Sequence, residues 1–349
     1  MRVLYLVTRN RHTHDFGVDF LYHGLNAVLG RENVFCWPEA DSLHAVADGV
    51  TDDPCETCLE GPYDSDQNWP RKRHSLAEAI EVCDLAIIAT QAGDTSLVES
   101  AMVVGNRPHS FQTLWPKSKP IVAVDTGDNV SDSSAYYRSV AGKPLMAYFK
   151  RELPIGAHWA IPMPLSYPAA RVPQPFPDLK GGIFYHASLH GAHRQLDTPG
   201  TPRSYIANDL ALRFRNERSI LDCELYSEAS KRIQPAEYHA RMAGALVGIS
   251  WNGYPYCANW DNNRFWENFA FALAQVAERP RIQLPHPPVD GVHCVYVDSV
   301  DQVGPEAEKL ARNPQRAIEM AGAGLRHFLQ YHSSERRAQY LLTIAQMLG

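Results

Sequence analysis

The stretch LVGISWNGYPYCANWDNNRFWENFAFALAQV, residues 246–276, contains the pattern that decides the fold. An apolar run typical of a buried strand ends at Ser250, and a loop rich in Asn, Gly, Tyr and Trp follows it. From Asn263 onward the apolar residues recur at helical spacing, which predicts an amphipathic helix over residues 263–277. A strand that passes through a loop into a helix is the building unit of a parallel α/β sheet.

The same alternation of strands and helices extends in both directions along the chain. Strands are predicted at residues 3–7, 85–89, 120–125, 183–187, 219–225, 245–250, 281–284 and 293–297, and helices at 19–29, 75–83, 202–214, 235–243, 263–277 and from about 303 to 349. Alternating strands and helices imply parallel pairing through right-handed crossovers, so each half of the chain is expected to form an open doubly wound sheet.

A proline-rich segment separates the two halves. Prolines occupy positions 162, 164, 168, 173, 175 and 177, and such a run cannot continue a helix or a central strand. A chain of 349 residues also exceeds one typical hydrophobic core. The sequence therefore predicts an α/β protein with two Rossmann-like doubly wound domains, residues 1–165 and 166–349, which face each other across a cleft. The last helix either stays with the second domain or packs back on the first.

Composition narrows the classes of function. A net charge of -6 argues against nucleic-acid phosphates as the main ligand, and no run approaches the roughly 20 apolar residues of a membrane span. The seven cysteines are scattered, and the C-x-x-C of Cys55 and Cys58 lacks a second pair at zinc-site spacing. We therefore expect a cytoplasmic protein with reduced thiols and no bound metal.

Several common catalytic signatures are missing from the sequence. It contains no G-x-x-x-x-G-K-[ST] loop, no G-x-G-x-x-G after the first strand, no H-E-x-x-H and no G-x-S-x-G. These absences argue against phosphate-loop kinases, the usual dehydrogenases, zinc proteases of that type and α/β-hydrolases.

The helix that begins near Asn263 has the chemistry of an anion site. A helix N-terminus offers free N–H groups and a partial positive charge, which suit a diphosphate. Arg264 in its first turn adds a charge-assisted contact, and Glu267, one turn along, is placed to accept hydrogen bonds from ribose hydroxyls. Asn268 and Gly253 of the same stretch complete this set of binding candidates.

Other candidates lie at the predicted strand ends. His14 and Asp15, in the loop after the first strand, are the candidates for a general base. Lys150 and Arg151 precede the proline-rich segment, where they face donor phosphates, anchor the domain interface or form a solvated charge cluster. Two further residues, His186 at the end of the first strand of the second domain and Arg203 at the start of the next helix, are candidates for phosphate or sugar contacts.

The order of these motifs resembles a known family. The sequence R-x-W-E-x-x-A at Arg264–Ala270, with Asp290-Gly291, Asp298, Asn313-Pro314, the run 321–324, Tyr331-His332 and Arg336-Arg337 after it, is similar to group-1 glycosyltransferases of the glycosyltransferase-B superfamily, especially the spore-maturation and exopolysaccharide branch. The resemblance covers about residues 180–345. It implies the two-domain glycosyltransferase-B architecture.

The resemblance also implies a chemistry. In such enzymes a glutamate at the position of Glu267 binds the donor ribose, and catalysis needs no metal or other cofactor besides the co-substrate, here a UDP-, GDP- or dTDP-sugar. Two positions depart from the pattern, because Ala272 stands where the family usually has glycine and Asn259 where it has an earlier glutamate. The donor sugar therefore does not follow by analogy.

The sequence thus predicts a metal-independent glycosyltransferase that moves a sugar from a nucleotide sugar to an acceptor hydroxyl. The acceptor stays open among a glycan, a lipid, a metabolite and a modified nucleic-acid base. Two alternative enzymes are a nucleotide-sugar epimerase on the same fold and a metal-dependent amidohydrolase that uses His12 and His14, which needs an eight-stranded barrel and further ligands. A third alternative is a binding module without catalysis.

Overall fold

The computed structural model describes residues 1–7, 16–37, 76–90, 102–104, 107–109, 111–127, 129–174, 181–188, 202–226, 235–251 and 262–349. The chain divides into two compact units. The first unit contains residues 1–170, 281–285 and 333–349, and the second contains residues 171–280 and 286–332. The first change of unit therefore falls within the proline-rich segment, and the end of the chain returns to the first unit.

The described elements alternate between strands and helices. The strands are β1 (Val3–Leu6), β2 (Val34–Trp37), β3 (Leu85–Thr90), β4 (Met102–Val104), β5 (Arg107–His109), β6 (Ile121–Asp125), β7 (Ala147–Lys150), β8 (Ile161–Pro162), β9 (Ile183–Ser188), β10 (Leu221–Tyr226), β11 (Val247–Ser250), β12 (Ala274–Glu278) and β13 (Cys294–Val297). The α-helices are α1 (Phe16–Leu29), α2 (Leu76–Val82), α3 (Phe111–Leu114), α4 (Ser134–Ala141), α5 (Pro202–Arg213), α6 (Pro235–Gly244), α7 (Asn263–Ala270), α8 (Val303–Ala311), α9 (Pro314–Tyr331) and α10 (Ser334–Leu348).

The first unit is built on a six-stranded sheet in the order β2-β1-β3-β6-β7-β8, in which every pair is parallel. The four inner strands are buried on both faces and mainly apolar, as expected when helices cover both sides, whereas the edge strands β2 and β8 are partly exposed. In β1, Val3 and Tyr5 pack with α1 and α10, whereas Leu4 and Leu6 pack with α2 and α4. The strands β4 and β5 form a separate antiparallel pair.

The helices α1 and α10 pack closely against each other in the first unit. A Cβ atom added at Gly24 of α1 would overlap the backbone carbonyl oxygen of Ser334, so this crossing requires glycine. The start of α10 is fixed by its N-cap Ser333, whose side chain accepts a hydrogen bond from the Arg336 N–H.

The second unit is built on a five-stranded sheet in the order β10-β9-β11-β12-β13, again with every pair parallel. On one face Ile183, Tyr185 and Ala187 of β9 pack into a core with α5, α8 and α9. Alternate residues of the same strand point to the opposite face, where α6 lies. The two doubly wound parallel sheets confirm the predicted fold class.

Two predicted elements near the centre of the second half were wrong. The helix predicted over residues 263–277 ends at Ala270, and Ala274–Glu278 forms the buried strand β12. Ala272, between them, has a positive φ of 50°, and this left-handed conformation ends the helix. The strand predicted over residues 281–284 is reduced, in the described part of the chain, to an isolated bridge between Ile282 and Pro154.

Candidate functional site

The strand order of the second sheet creates one place suited to a ligand. The first strand of this unit, β9, lies between β10 and β11. From β9 the chain moves to β10 on one side, and from β10 it returns to β11 on the other side of β9, so the strand order reverses at β9. In open parallel sheets ligands bind at such a switch point, outside the carboxyl ends of the strands. The chain that leaves the carboxyl end of β11 enters α7, which places the N-terminus of α7 beside this point.

The N-terminus of α7 is tied to the end of β11 by its cap. Asn262 is the N-cap residue, and its Oδ1 accepts a hydrogen bond from the Phe265 N–H at 3.0 Å. Ser250, the last residue of β11, donates its hydroxyl to the same Oδ1 at 3.1 Å. On the buried side of α7, Trp266 is fully buried and stacks on His332 with ring centroids 4.4 Å apart. The first turn of α7 therefore has a fixed position on the sheet.

Arg264 and Glu267 lie on the first turns of α7 and share a neighbour on α6. The hydroxyl of Tyr238 is 3.4 Å from Oε2 of Glu267 and 3.4 Å from Nε of Arg264. Asn263 donates its side-chain N–H to Oε1 of Glu267 at 2.5 Å. The structure thus brings the two residues that the motif singled out into one polar cluster.

This cluster combines two binding chemistries. The guanidinium of Arg264 and the partial positive charge of the α7 N-terminus favour an anion such as a phosphate. A carboxylate oxygen accepts more than one hydrogen bond, so Glu267 can bind the hydroxyls of a diol in addition to its protein neighbours. A phosphate joined to a ribose carries both groups.

His186 lies on the face of β9 that α6 covers, and its ring nitrogens face carboxylates of the neighbouring strand β10. Its ring is buried, with Nε2 2.7 Å from Oδ1 of Asp222 and Nδ1 3.8 Å from Oε2 of Glu224. Burial lowers the pKa of His186, and the hydrogen bond with Asp222 opposes that shift. In the structure His186 joins β9 to β10, and its contact with a sugar or phosphate stays a prediction.

Two other candidates of the second unit differ in accessibility. Asn268 is fully buried, and its Nδ2 donates to Oε1 of Gln275 at 2.9 Å, between α7 and β12. A Cβ at Gly248 would come within 2.7 Å of the Asn268 side chain. Asn268 therefore packs α7 onto the sheet, and its contact with a ligand stays a prediction. Arg203 lies half-buried in the first turn of α5.

Lys150 and Arg151 belong to the first unit and are buried, so the prediction of a solvated charge cluster was wrong. The three N–H donors of Lys150 go to Asp125, to the Gly127 carbonyl and to Asn129, at 2.8, 3.3 and 3.2 Å. The guanidinium of Arg151 donates to the Thr126 carbonyl at 3.0 Å. Protein acceptors thus surround the Lys150 ammonium, and a contact of this pair with a donor phosphate or with the domain interface stays a prediction.

The remaining candidates, His14, Asp15 and Gly253, lie outside the described residues, as does His12. Within the described ranges no group of three or more His, Cys, Asp or Glu side chains is arranged to hold a metal ion. In that same part of the chain, none of the helices has the length and hydropathy that crossing a bilayer requires.

Sequence reasoning missed Tyr238. No motif contains it, and its place in the cluster depends on the packing of α6 beside α7, which are separated by β11 in the chain. The available signal was weak, an aromatic residue one turn into a helix that begins with Pro235.

Part of the chain matches a family of known proteins. Residues 203–343 match the family described as glycosyl transferase-like, a range that includes Arg264 and Glu267. A search of curated proteins found no match.

Solved structures share the fold at low sequence identity. An alpha-glucosyltransferase in complex with UDP-glucose and DNA containing an abasic site has 10% identity and a TM-score of 0.54, with 99% of each chain covered. HepE of Anabaena in complex with UDP has 10% identity and a TM-score of 0.55, with 99% of this chain and 100% of HepE covered.

A third structure, TarM, matches less completely. Its identity is 9% and its TM-score 0.42, and the match covers 75% of this chain, which spans only 54% of TarM. The two full-length matches show that the chain has the glycosyltransferase-B fold, and residues 203–343 resemble the glycosyl transferase-like family.

Proposed function

We propose that the second unit binds a nucleotide sugar and that the enzyme transfers the sugar to an acceptor hydroxyl. The observation that carries this proposal is the cluster of Arg264 and Glu267 on the first turns of α7, beside the switch point of a parallel sheet. The same two residues lie inside the family match. In this proposal the first unit forms the acceptor side and the second unit the donor side.

The proposed donor site stabilises the leaving group without a metal. Arg264 and the N–H groups at the start of α7 interact with the diphosphate, whose negative charge grows as the bond to the anomeric carbon breaks. Glu267 holds the ribose, which fixes the diphosphate relative to the helix. The bond electrons leave with the diphosphate, and the acceptor oxygen forms the new bond to the anomeric carbon.

The acceptor proton needs a base, and we propose His14 or Asp15 for this role because they follow β1. The acceptor itself is sought among glycans, lipids, metabolites and modified nucleic-acid bases. Cys36, Cys83, Cys223 and Cys294 are free thiols, which supports a cytoplasmic location.

UDP is the first nucleotide to test. Both full-length structural matches contain it, as UDP or as UDP-glucose. Because their sequences are only 10% identical to this chain, they guide the choice of the first probe and nothing more. Membership of the spore-maturation and exopolysaccharide branch is part of the same proposal and rests on the resemblance alone.

The proposal is tested with a nucleotide screen and a product analysis. The thermal stability of the protein is measured with UDP, GDP, dTDP and CMP and their sugars, with and without EDTA. We expect one nucleotide to raise the melting temperature equally in EDTA, and its sugar to yield free nucleotide when an acceptor is present. Glu319→Gln, an exposed change on α9, is the control that leaves the shift intact.

The alternatives give different outcomes in the same experiment. An epimerase converts the nucleotide sugar to its epimer without an acceptor. A metal-dependent hydrolase loses stability and activity in EDTA. If none of the nucleotides raises the melting temperature, the proposed donor site is overturned.

A further inference from the structure

Tyr238 bridges the two charged residues of the proposed donor site. Its hydroxyl lies 3.4 Å from the carboxylate of Glu267 and 3.4 Å from the guanidinium of Arg264. A phenol can donate one hydrogen bond and accept others at the same time. Tyr238 therefore donates to Glu267 while it accepts from Arg264, and one hydroxyl sets the position of both side chains.

The ring of Tyr238 is held by the sheet. Phe184 contacts it edge-to-face, with centroids 5.2 Å apart and planes at 74°, and His186 does so at 6.1 Å and 85°. Phe184 and His186 are themselves stacked at 4.4 Å. Because both residues belong to β9, the strand at the switch point holds the Tyr238 ring and thereby fixes the position of its hydroxyl.

The hydroxyl also keeps its proton. Burial raises the pKa of Tyr238 and outweighs the Arg264 guanidinium, which lowers that pKa, while the Glu267 carboxylate acts in the same direction as burial. Tyr238 thus remains a hydrogen-bond donor to Glu267 over the pH range in which an enzyme is assayed. The two distances of 3.4 Å are long for hydrogen bonds, as is common in ligand-free sites.

We infer that Tyr238 is a positioning residue of the donor site, which orients Glu267 toward the ribose and Arg264 toward the diphosphate without touching either. This inference rests on the proposed function. It adds α6 to a site that the sequence motif confines to α7.

The test removes the hydroxyl and keeps the ring. In Tyr238→Phe we expect the Kd for UDP and the KM for the nucleotide sugar to rise about fivefold to tenfold, with a smaller change in kcat. The melting temperature of the free protein changes little, because the ring contacts remain. Tyr137→Phe is the matched control, since its buried hydroxyl donates to the Thr90 carbonyl at 2.7 Å in the first unit. We expect this control to lower the melting temperature and to leave the Kd for UDP unchanged.

A double-mutant cycle separates positioning from general stability. If Tyr238 acts through Glu267, Tyr238→Phe weakens UDP binding in the wild type and has little further effect in a Glu267→Gln background. Additive effects, or an unchanged Kd in Tyr238→Phe, would overturn the inference and leave the proposed function standing. Failure of the wild type to bind any nucleotide overturns the proposed function, and the inference with it.

Discussion

Replacing Lys150 by methionine removes the cation of a buried ion pair and keeps the length of the side chain. The Lys150 ammonium lies 2.8 Å from the Asp125 carboxylate, and both side chains are fully buried. Removing one partner of such a pair destabilises a protein by about 3–5 kcal/mol, because a buried charge is left without compensation. Asp125 keeps hydrogen bonds from the Tyr148 hydroxyl at 3.0 Å and the Gly127 N–H at 2.9 Å. We therefore expect a loss of about 3 kcal/mol, at the lower end of that range.

The assay is urea unfolding followed by circular dichroism, together with UDP binding under conditions where each variant is folded. Lys309→Met, which removes an exposed pair with Glu306, is the control and is expected to change stability by less than about 1 kcal/mol. Adding Asp125→Asn to Lys150→Met should recover part of the loss, since no buried charge remains unpaired. A Lys150→Met protein of unchanged stability and weakened UDP affinity would refute this reasoning and restore Lys150 as a donor ligand.

Three further changes test other parts of the structure. Gly24→Ala places a methyl group on the Ser334 carbonyl, so we expect about 2 kcal/mol or more of lost stability in urea unfolding. Ala272→Gly relieves a left-handed alanine, and it should keep or raise stability by up to about 1 kcal/mol, whereas Ala317→Gly inside α9 should cost at least about 1 kcal/mol; equal losses would contradict this. Burial lowers the pKa of His239 to about 4, below its unfolded value, so the stability that neutral His239 contributes is intact above about pH 6.5 and is lost, on the order of 2 kcal/mol, as the pH falls toward 4. His239→Gln should remove that pH-dependent loss, and an unchanged loss would show that another group causes it.

The sequence predicted the fold because its strands are short apolar runs separated by helical patterns, and this signal is local. It failed at residues 263–277, where one helix was predicted. The run from Ala270 to Ala277 is apolar except for Gln275, and a strand buried on both faces looks like a buried helix when many of its residues are alanine. A glycine at position 272 would have marked the helix end, but the chain places an alanine in the left-handed conformation there.

Only the residues of the candidate site that lie inside the sequence motif could be predicted. Arg264 and Glu267 share one helix turn and are found together in the structure, so spacing was sufficient for them. Lys150 was misread because its partner Asp125 ends a different strand, 25 residues earlier in the chain. Tyr238 depends on the packing of α6 beside α7, which no local pattern reports.

The most direct test of the account measures how the protein distinguishes UDP from 2′-deoxy-UDP. Isothermal titration of the wild type should show UDP binding about tenfold more tightly, because the deoxy nucleotide lacks a hydroxyl that donates to the Glu267 carboxylate. In Glu267→Gln, UDP should bind more weakly and the preference should shrink toward equality, whereas Glu319→Gln should keep both affinities. Equal affinity for the two nucleotides in the wild type, or a preference that survives in Glu267→Gln, would contradict the assignment of Glu267 to the donor ribose.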